Sequence, residues 1–295
     1  FIPGWSAVSA LWYRPDLNEA AGLSADFKPD TWEKLIQYER ETNKLDEVNH
    51  GTYMPAAGNA GNSTLEFTMW LRQAGGRYTK HDGENWVAAF DEGDDRSAMI
   101  DALNFCKEQY QFSPDAGNST WTDIGHSIET GVSASVCYTG ARPKNYAINN
   151  DREFASDITT VSGPMGETPK TRAQNTPFLV FQDSNTEAAK KFLEFLTREE
   201  YFAELHWLTA EVHNAPAYPG LSNSDKYQQY LDDTPEWKPE QYGIYFDEQQ
   251  QNGFVNPFES DPANPYWAVT AQSLIISEMV YDVLVNENDP DSVID

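Results

Sequence analysis

Residues 176–200 read TPFLVFQDSNTEAAKKFLEFLTREE, and this stretch narrows the fold more than any other. Phe178, Leu179, Val180 and Phe181 form a short apolar run of the kind that makes a buried strand. Ser184 is a good helix cap, and Glu187 three residues later completes a capping box. Ala189, Phe192, Leu193 and Leu196 then follow at helical spacing, with Lys190 and Lys191 on the other side. A strand, a turn and an amphipathic helix in one span is the repeating unit of an α/β fold.

The rest of the chain fits that class. Residues 7–13 are extended, and a short helix after Arg14-Pro15-Asp16-Leu17 ends at Gly22. Asp30 caps the next helix, with Glu33 at its third position and Trp32, Leu35 and Ile36 on its apolar face. A Gly/Asn-rich loop leads to a helix over 65–73 that Gly75 and Gly76 stop. Trp86 and Phe90 lie by a β-like segment, and a helix over 95–111 follows, closed by Pro114. Residues 121–140 read as a helix, a break at Gly131 and an alternating strand over 132–138; a further strand covers 158–164. A helix over 201–213 precedes Asn214-Ala215-Pro216. Residues 218–256, polar and acidic, read as one helix and an exposed loop. Pro265 suits a helix start, and Trp267 opens one long amphipathic helix through Ile276, Val280 and Leu284. The acidic tail, 287–295, is expected to fray.

Charge excludes several partners. There are 47 acids against 20 bases, a net charge of -27. Such a chain repels nucleic acid and anionic membrane surfaces. The acids are scattered, which suits a solvated surface in concentrated salt, so a halophilic origin is expected. Nine Trp and fifteen Tyr let aromatic rings fill the core. Cys106 falls in a helical pattern with Met99, Leu103 and Tyr110, so it reads as a small core residue, and a bridge to Cys137 stays open. His50, His81, His126, His206 and His213 are dispersed and read as surface or local polar groups. No zinc spacing, calcium loop, nucleophile elbow or phosphate loop is present, so no catalytic residue, metal or cofactor is expected. Asp91, Glu92, Asp94 and Asp95 read as a solvated loop or helix start. No apolar run is long enough to span a bilayer.

The phrase LWY-R-x-DL followed by AGL and x-P-x-TW-E-L, the FLEFLTREE helix, and the 121–140 segment with Gly131 and Ala134 in place resemble the extracellular solute-binding proteins of ABC importers, in the sugar-binding, maltose-binding-protein-like group. The resemblance runs from about Ile2 to Leu284. It implies a type II periplasmic-binding-protein-like α/β fold, with two lobes joined by crossing hinge strands. It also implies roughly a hundred residues ahead of Ile2, an ordinary size for most of a lobe. Residues 1–174 and 216–295 would then form the second lobe, and 175–215 a fragment of the first.

The function so implied is capture of a small solute, a mono- or oligosaccharide, by hinge closure. The protein would be a monomer, extracellular and anchored at the outer face of the cell membrane or else periplasmic, that hands its solute to membrane permease subunits. The ligand-binding residues implied are Trp5 and Ser6 by the first crossing; Asn59, Asn62 and Glu66 in or beside the Gly-rich loop; Tyr138, Gly140 and Arg142 at the strand end; and Tyr266 and Trp267 at the last helix. Many relatives place a stacking Trp at that strand end, and Tyr138 or Arg142 stands in for it here. Asn62 and Asn118 also head glycosylation sequons. The alternatives are a glycoside-active enzyme, or a binding protein for a peptide, polyamine or anion.

Overall fold

The computed structural model describes residues 2–161, 166, 170–182, 185–217, 219–251, 253–255, 264 and 266–294. In chain order the elements are β1 (Ile2–Tyr13), α1 (Trp32–Thr42), β2 (His50–Thr52), α2 (Gly61–Gln73), β3 (Thr79–His81), β4 (Trp86–Ala88), α3 (Gly93–Tyr110), α4 (Trp121–His126), β5 (Ser133–Thr139), α5 (Arg142–Asn149), β6 (Thr159–Val161) and β7 (Thr171–Phe178). They continue with α6 (Thr186–Leu196), α7 (Glu199–Ala210), β8 (Ala215–Pro216), α8 (Pro219–Ser222), α9 (Asp225–Asp232), α10 (Pro239–Gln251), β9 (Gly253–Val255), α11 (Trp267–Gln272), α12 (Ile275–Leu284) and α13 (Pro290–Ile294).

β1 organises the molecule. Its second half pairs antiparallel with β5, Ser9 opposite Thr139 through Tyr13 opposite Ser135, and with β6. Its first half pairs antiparallel with β7 and, at Trp5 and Ser6, with β8. Three passes of the chain therefore run side by side at the level of Trp5. β2 adds parallel to β5 and β9 parallel to β7, giving seven strands among the described residues.

Alternation along β1 splits the core, because successive side chains point to opposite faces. Leu11 and Tyr13 pack with α1, α2, α3 and α12 on one face. Val8, Ala10 and Trp12 pack with α4, α5, α7, α9 and α10 on the other. Aromatic rings carry much of this core, with Trp12, Trp70, Tyr38, Tyr227, Tyr245, Phe67 and Phe202 all fully buried. Cys106 and Cys137 are buried and unbridged. Among the described residues no helix is long and apolar enough to cross a membrane.

Several boundaries differ from expectation for identifiable reasons. α1 is capped by Thr31, whose hydroxyl accepts from the Lys34 amide, rather than by Asp30. α2 starts four residues early, at Gly61, and ends as expected: Gly75 adopts φ +85°, and the Gly75 and Gly76 amides close back onto Arg72 and Leu71. α6 is capped by Asn185, which accepts from the Ala188 amide; Ser184 lies outside the described residues. The apolar run after Pro177 is not a buried strand, since β7 ends at Phe178 and Leu179 and Phe181 are exposed. On α6 Leu193 is buried, but Phe192 and Phe195 are exposed.

The segment 218–256 is not an exposed loop. It holds three helices, and Tyr227, Leu231, Trp237 and Tyr245 are buried in the second core. The expected long helix from Trp267 is broken: Leu274 sits at φ +60° between α11 and α12. The tail forms α13, with Pro290 and Ile294 buried. Pro164 and Pro265 lie outside the described residues.

Buried titratable groups set a pH dependence, and two of them, Glu39 and Lys144, act in opposite directions. Glu39 on α1 is fully buried, and the Gln109 side-chain amide donates to it at 2.9 Å. Burial pushes its carboxyl from 4.5 up to about 8. The folded state therefore binds the proton more tightly than the unfolded state, and stability from Glu39 is lost as pH rises from about 4.5 to about 8. Lys144 is also fully buried, and its Nζ donates to the Ala155 and Ile158 carbonyls at 2.8 and 2.7 Å. Its pKa is pushed down to about 7, so its contribution grows with pH above that value. We expect Glu39→Gln to remove part of the fall in melting temperature between about pH 5 and about pH 7, where Lys144 is silent and the buried Glu66 carboxyl, raised to about 7, accounts for a further share. Melts of the two proteins across that window check this; parallel slopes would show an ordinary carboxyl at Glu39.

Candidate functional site

The site is built over the crossing strands. Trp5 and Ala7 come from β1, Tyr138 and Thr139 from β5, and Gln174 and Thr176 from β7. Trp121 and Thr122 open α4, and Arg142 and Tyr146 lie on α5. Leu65 of α2 and the His213-Asn214 turn before β8 complete a cleft of about 490 Å³.

Local sequence explains each placement. Thr120 caps α4 with a full capping box to Asp123, which sets Trp121 as the first helical residue. Trp121 meets Tyr138 edge to face at 5.3 Å. Trp5 meets Phe178 edge to face at 5.9 Å. Tyr146 is stacked on His126 at 3.8 Å, and His126 bonds Glu129, which pairs with Arg152. Four rings thus stand around the cleft in fixed orientations, with hydroxyl, amide, imidazole and guanidinium groups between them. Rings of this kind cover apolar C–H faces, and the polar groups between them bond hydroxyls.

Gly140 sits at φ +98°, a conformation that favours glycine. Its amide donates to the Val8 carbonyl, and its carbonyl accepts from the Trp12 indole at 2.8 Å. A Cβ there would lie 1.9 Å from His213 Nδ1. The glycine therefore lets the imidazole lie against the strand end. The Ala141 amide donates to His213 Nδ1 at 3.1 Å. Burial and the neighbouring Arg142 push the His213 pKa down to about 3, so the ring stays neutral. Arg142 is exposed on the wall, with Nη1 donating to the Tyr146 hydroxyl at 2.9 Å.

The residues singled out from sequence separate into groups. Trp5, Tyr138 and Arg142 line the cleft. Ser6 falls on the opposite side of β1 from Trp5 and Ala7; it is buried, and its hydroxyl lacks a partner among the described residues. Gly140 lies behind His213. Asn59 is exposed in the loop before α2. Glu66 lies on α2, as the expected helix had it, and Asn62 joins it because α2 starts early; both are buried, which also withdraws Asn62 as a sugar-attachment site in the folded protein.

Burial pushes the Glu66 carboxyl up to about 7. Cys137, Arg172 and Thr139 pull the other way, yet neither carboxyl oxygen has a well-formed hydrogen bond among the described residues. Tyr266 is exposed away from the cleft lining, and the Trp267 side chain lies outside the described residues. Sequence reading missed Trp121, Tyr146, Gln174, Thr176, His213 and Asn214. Of the two roles expected for His206, surface or local polar group, the structure has the second: it is buried with Nδ1 bonded to the Asn214 carbonyl at 2.7 Å.

A family model described as bacterial extracellular solute-binding protein matches residues 2–201. The chain belongs to that family. The solute-binding fold is shared with solved structures. A solute-binding protein of Thermotoga lettingae TMO, bound with alpha-D-tagatose, superposes with a TM-score of 0.74 at 20% identity, covering 99% of this chain and 69% of that one. Maltose-bound MalE3 of T. maritima gives 0.73 at 17% identity with the same coverage. A sugar transporter of Arthrobacter chlorophenolicus A6 with bound laminaribiose gives 0.74 at 18%, covering 99% and 68%. Among curated proteins, the probable amino-acid ABC transporter periplasmic-binding protein y4oP of Sinorhizobium fredii is 26% identical over 143 residues. That match covers 48% of this chain and 31% of y4oP, so it spans about a third of the relative's length. These likenesses match the expected α/β solute-binding fold with its crossing strands.

Proposed function

We propose that the cleft over β1, β5 and β7 captures a mono- or oligosaccharide, and that closure of a second body over it delivers the sugar to the membrane permease of an ABC importer. The observation that carries this is the lining itself: four fixed rings, Trp5, Trp121, Tyr138 and Tyr146, with short polar side chains between them. Sugars offer alternating C–H faces and hydroxyls to such a surface. Among the described lining residues there is no Asp or Glu, so the carboxylate pair of glycoside hydrolysis is not assembled there. The tagatose, maltose and laminaribiose bound in the superposed structures point the same way.

In this reading 1–174 and 216–295 form one lobe and 175–215 reaches towards the other through α6, while α7 stays packed in the second core with α9 and α10. The exposed rings of Phe181, Phe192 and Phe195 support a further packing partner for that segment. The protein works as a monomer tethered at the outer face of the cell membrane, with an acidic surface suited to high salt.

A thermal-shift panel of neutral sugars, sugar acids, amino acids, polyamines and peptides tests it. A ligand at about a hundred times its Kd adds about 2.7 kcal/mol, a rise of roughly 5 °C for a chain of this size. We expect such a rise from sugars alone, without turnover. A rise only with amino acids or peptides, or release of a cleaved glycoside, overturns the reading. The same melts taken from low to molar salt should rise as the charges are screened.

A further inference from the structure

A cation lies behind the floor of the cleft. Arg172 shares one face of β7 with Gln174 and Thr176, because side chains alternate along a strand. Gln174 and Thr176 line the cleft, whereas Arg172 is 8% exposed. A buried charge is costly unless its donors are satisfied. Burial lowers the pKa of this guanidinium, and the Glu66 carboxyl of α2, itself 1% exposed, opposes that shift. The hydrogen bonds of Arg172 go to the floor itself.

Nη1 donates to the Thr139 hydroxyl oxygen at 3.2 Å, and Nη2 to Gln174 Oε1 at 3.4 Å. Both acceptors belong to lining residues, one on β5 and one on β7. Ser9 stands opposite Thr139 in the β1–β5 ladder, with the two hydroxyl oxygens 2.8 Å apart. The Thr139 hydroxyl is therefore engaged within the protein from two sides. Gln174 keeps one function free. A guanidinium carries donors only, so its contact holds the amide with Oε1 inward. Nε2 then faces the cleft, on an exposed side chain, with no partner among the described residues. Without Arg172 the amide could turn over, since its two ends are nearly equal in size.

We infer that Arg172 is the positioning residue of this floor: it holds the Gln174 amide so that Nε2 donates to an oxygen of the solute, and it keeps Thr139 from competing for that oxygen. This rests on the reading of the cleft as a sugar site and adds a determinant of specificity to it. The solute oxygen that meets Gln174 must accept, so a hydroxyl there turns its own hydrogen to another group. A solute that places an ammonium at that point meets a donor with a positive charge behind it and is rejected.

The test is a double-mutant cycle read by calorimetric titration of the protein, Gln174→Met, Arg172→Lys and the double variant. The probes are maltose, laminaribiose and D-tagatose, or whichever sugar raises the melting temperature in the thermal panel. Gln174→Met should weaken binding about tenfold, the loss of one hydrogen bond. Arg172→Lys keeps the charge but not the fork that reaches two acceptors, and should weaken binding about fivefold. In the Gln174→Met background Arg172→Lys should cost less than about twofold further affinity, while its effect on the melting temperature persists. Unchanged affinity in Gln174→Met, or equal losses from Arg172→Lys in both backgrounds, overturns the inference and leaves the sugar reading standing. If Arg172→Lys fails to fold, nitrogen-15 spectra of the unaltered protein decide. The Gln174 side-chain amide, assigned by its loss in Gln174→Met, should show one proton moving downfield as the sugar is added, and an unmoved pair overturns the inference. Binding of no sugar at all overturns both this inference and the sugar reading.

Discussion

Replacing Trp12 with alanine should destabilise the protein by about 4 kcal/mol, near the upper end for a large-to-small core change. The indole is completely buried at the middle of β1. It meets Trp237 edge to face at 6.0 Å and Tyr245 at 6.0 Å, so it is the wedge between the sheet and α10. The substitution leaves a ring-sized hole that the surrounding rings cannot fill without leaving their own rotamers. It also removes the donor to the Gly140 carbonyl, a group buried under the cleft wall. The melting temperature should fall by roughly 8–15 °C. Denaturant titration measures the free energy directly, and a change below about 1 kcal/mol would mean that the core had closed over the site.

The second large effect is expected at Gly140. Alanine there must hold φ near +98° and place its Cβ where His213 Nδ1 now lies. The backbone on either side is hydrogen-bonded to Val8 and Trp12, so it cannot yield freely. The imidazole must leave instead, taking the acceptor from the Ala141 amide and one wall of the cleft. We expect Gly140→Ala to cost roughly 2–3 kcal/mol of stability from strain and the lost bond. It should also weaken solute binding at least ~tenfold, because the groups around Arg142 lose their arrangement. A double-mutant cycle separates the causes. Adding His213→Ala to Gly140→Ala removes the clash and should recover part of the stability, but not the binding. Strictly additive losses would show that the two residues do not oppose one another.

The contrast between Gly75 and Gly140 shows where sequence stops being informative. Gly75 ends a helix whose apolar pattern is visible in the preceding residues, so its positive φ follows from local spacing. Gly140 needs its conformation because a histidine 73 positions later returns to the same place. The cleft divides the same way. Trp5, Tyr138 and Arg142 lie at strand ends that the family phrases mark. Gln174, Thr176 and His213 have unremarkable neighbours, and only the pairing of β7 and β8 with β1 makes them a floor and a wall. The run from Phe178 to Phe181 looks buried because it is apolar, but burial depends on what covers a segment, and pattern does not record that. In 218–256 the reverse holds: polar spacing hid the four rings and aliphatics that pin α9 and α10 into the core.

The layout of β1 also bears on how the chain acquires its shape. Ser9 bonds Thr139 across 130 positions, and the Val8 amide bonds the Tyr245 hydroxyl across 237. An apolar strand must therefore wait for partners synthesised much later before its edges are filled. Such long-range pairing is slow, and the unfilled edges are prone to aggregate. Refolding from denaturant should then be limited by the arrival of β5 and β7 at β1, and a chaperone that masks β1 alone would spare most of the loss.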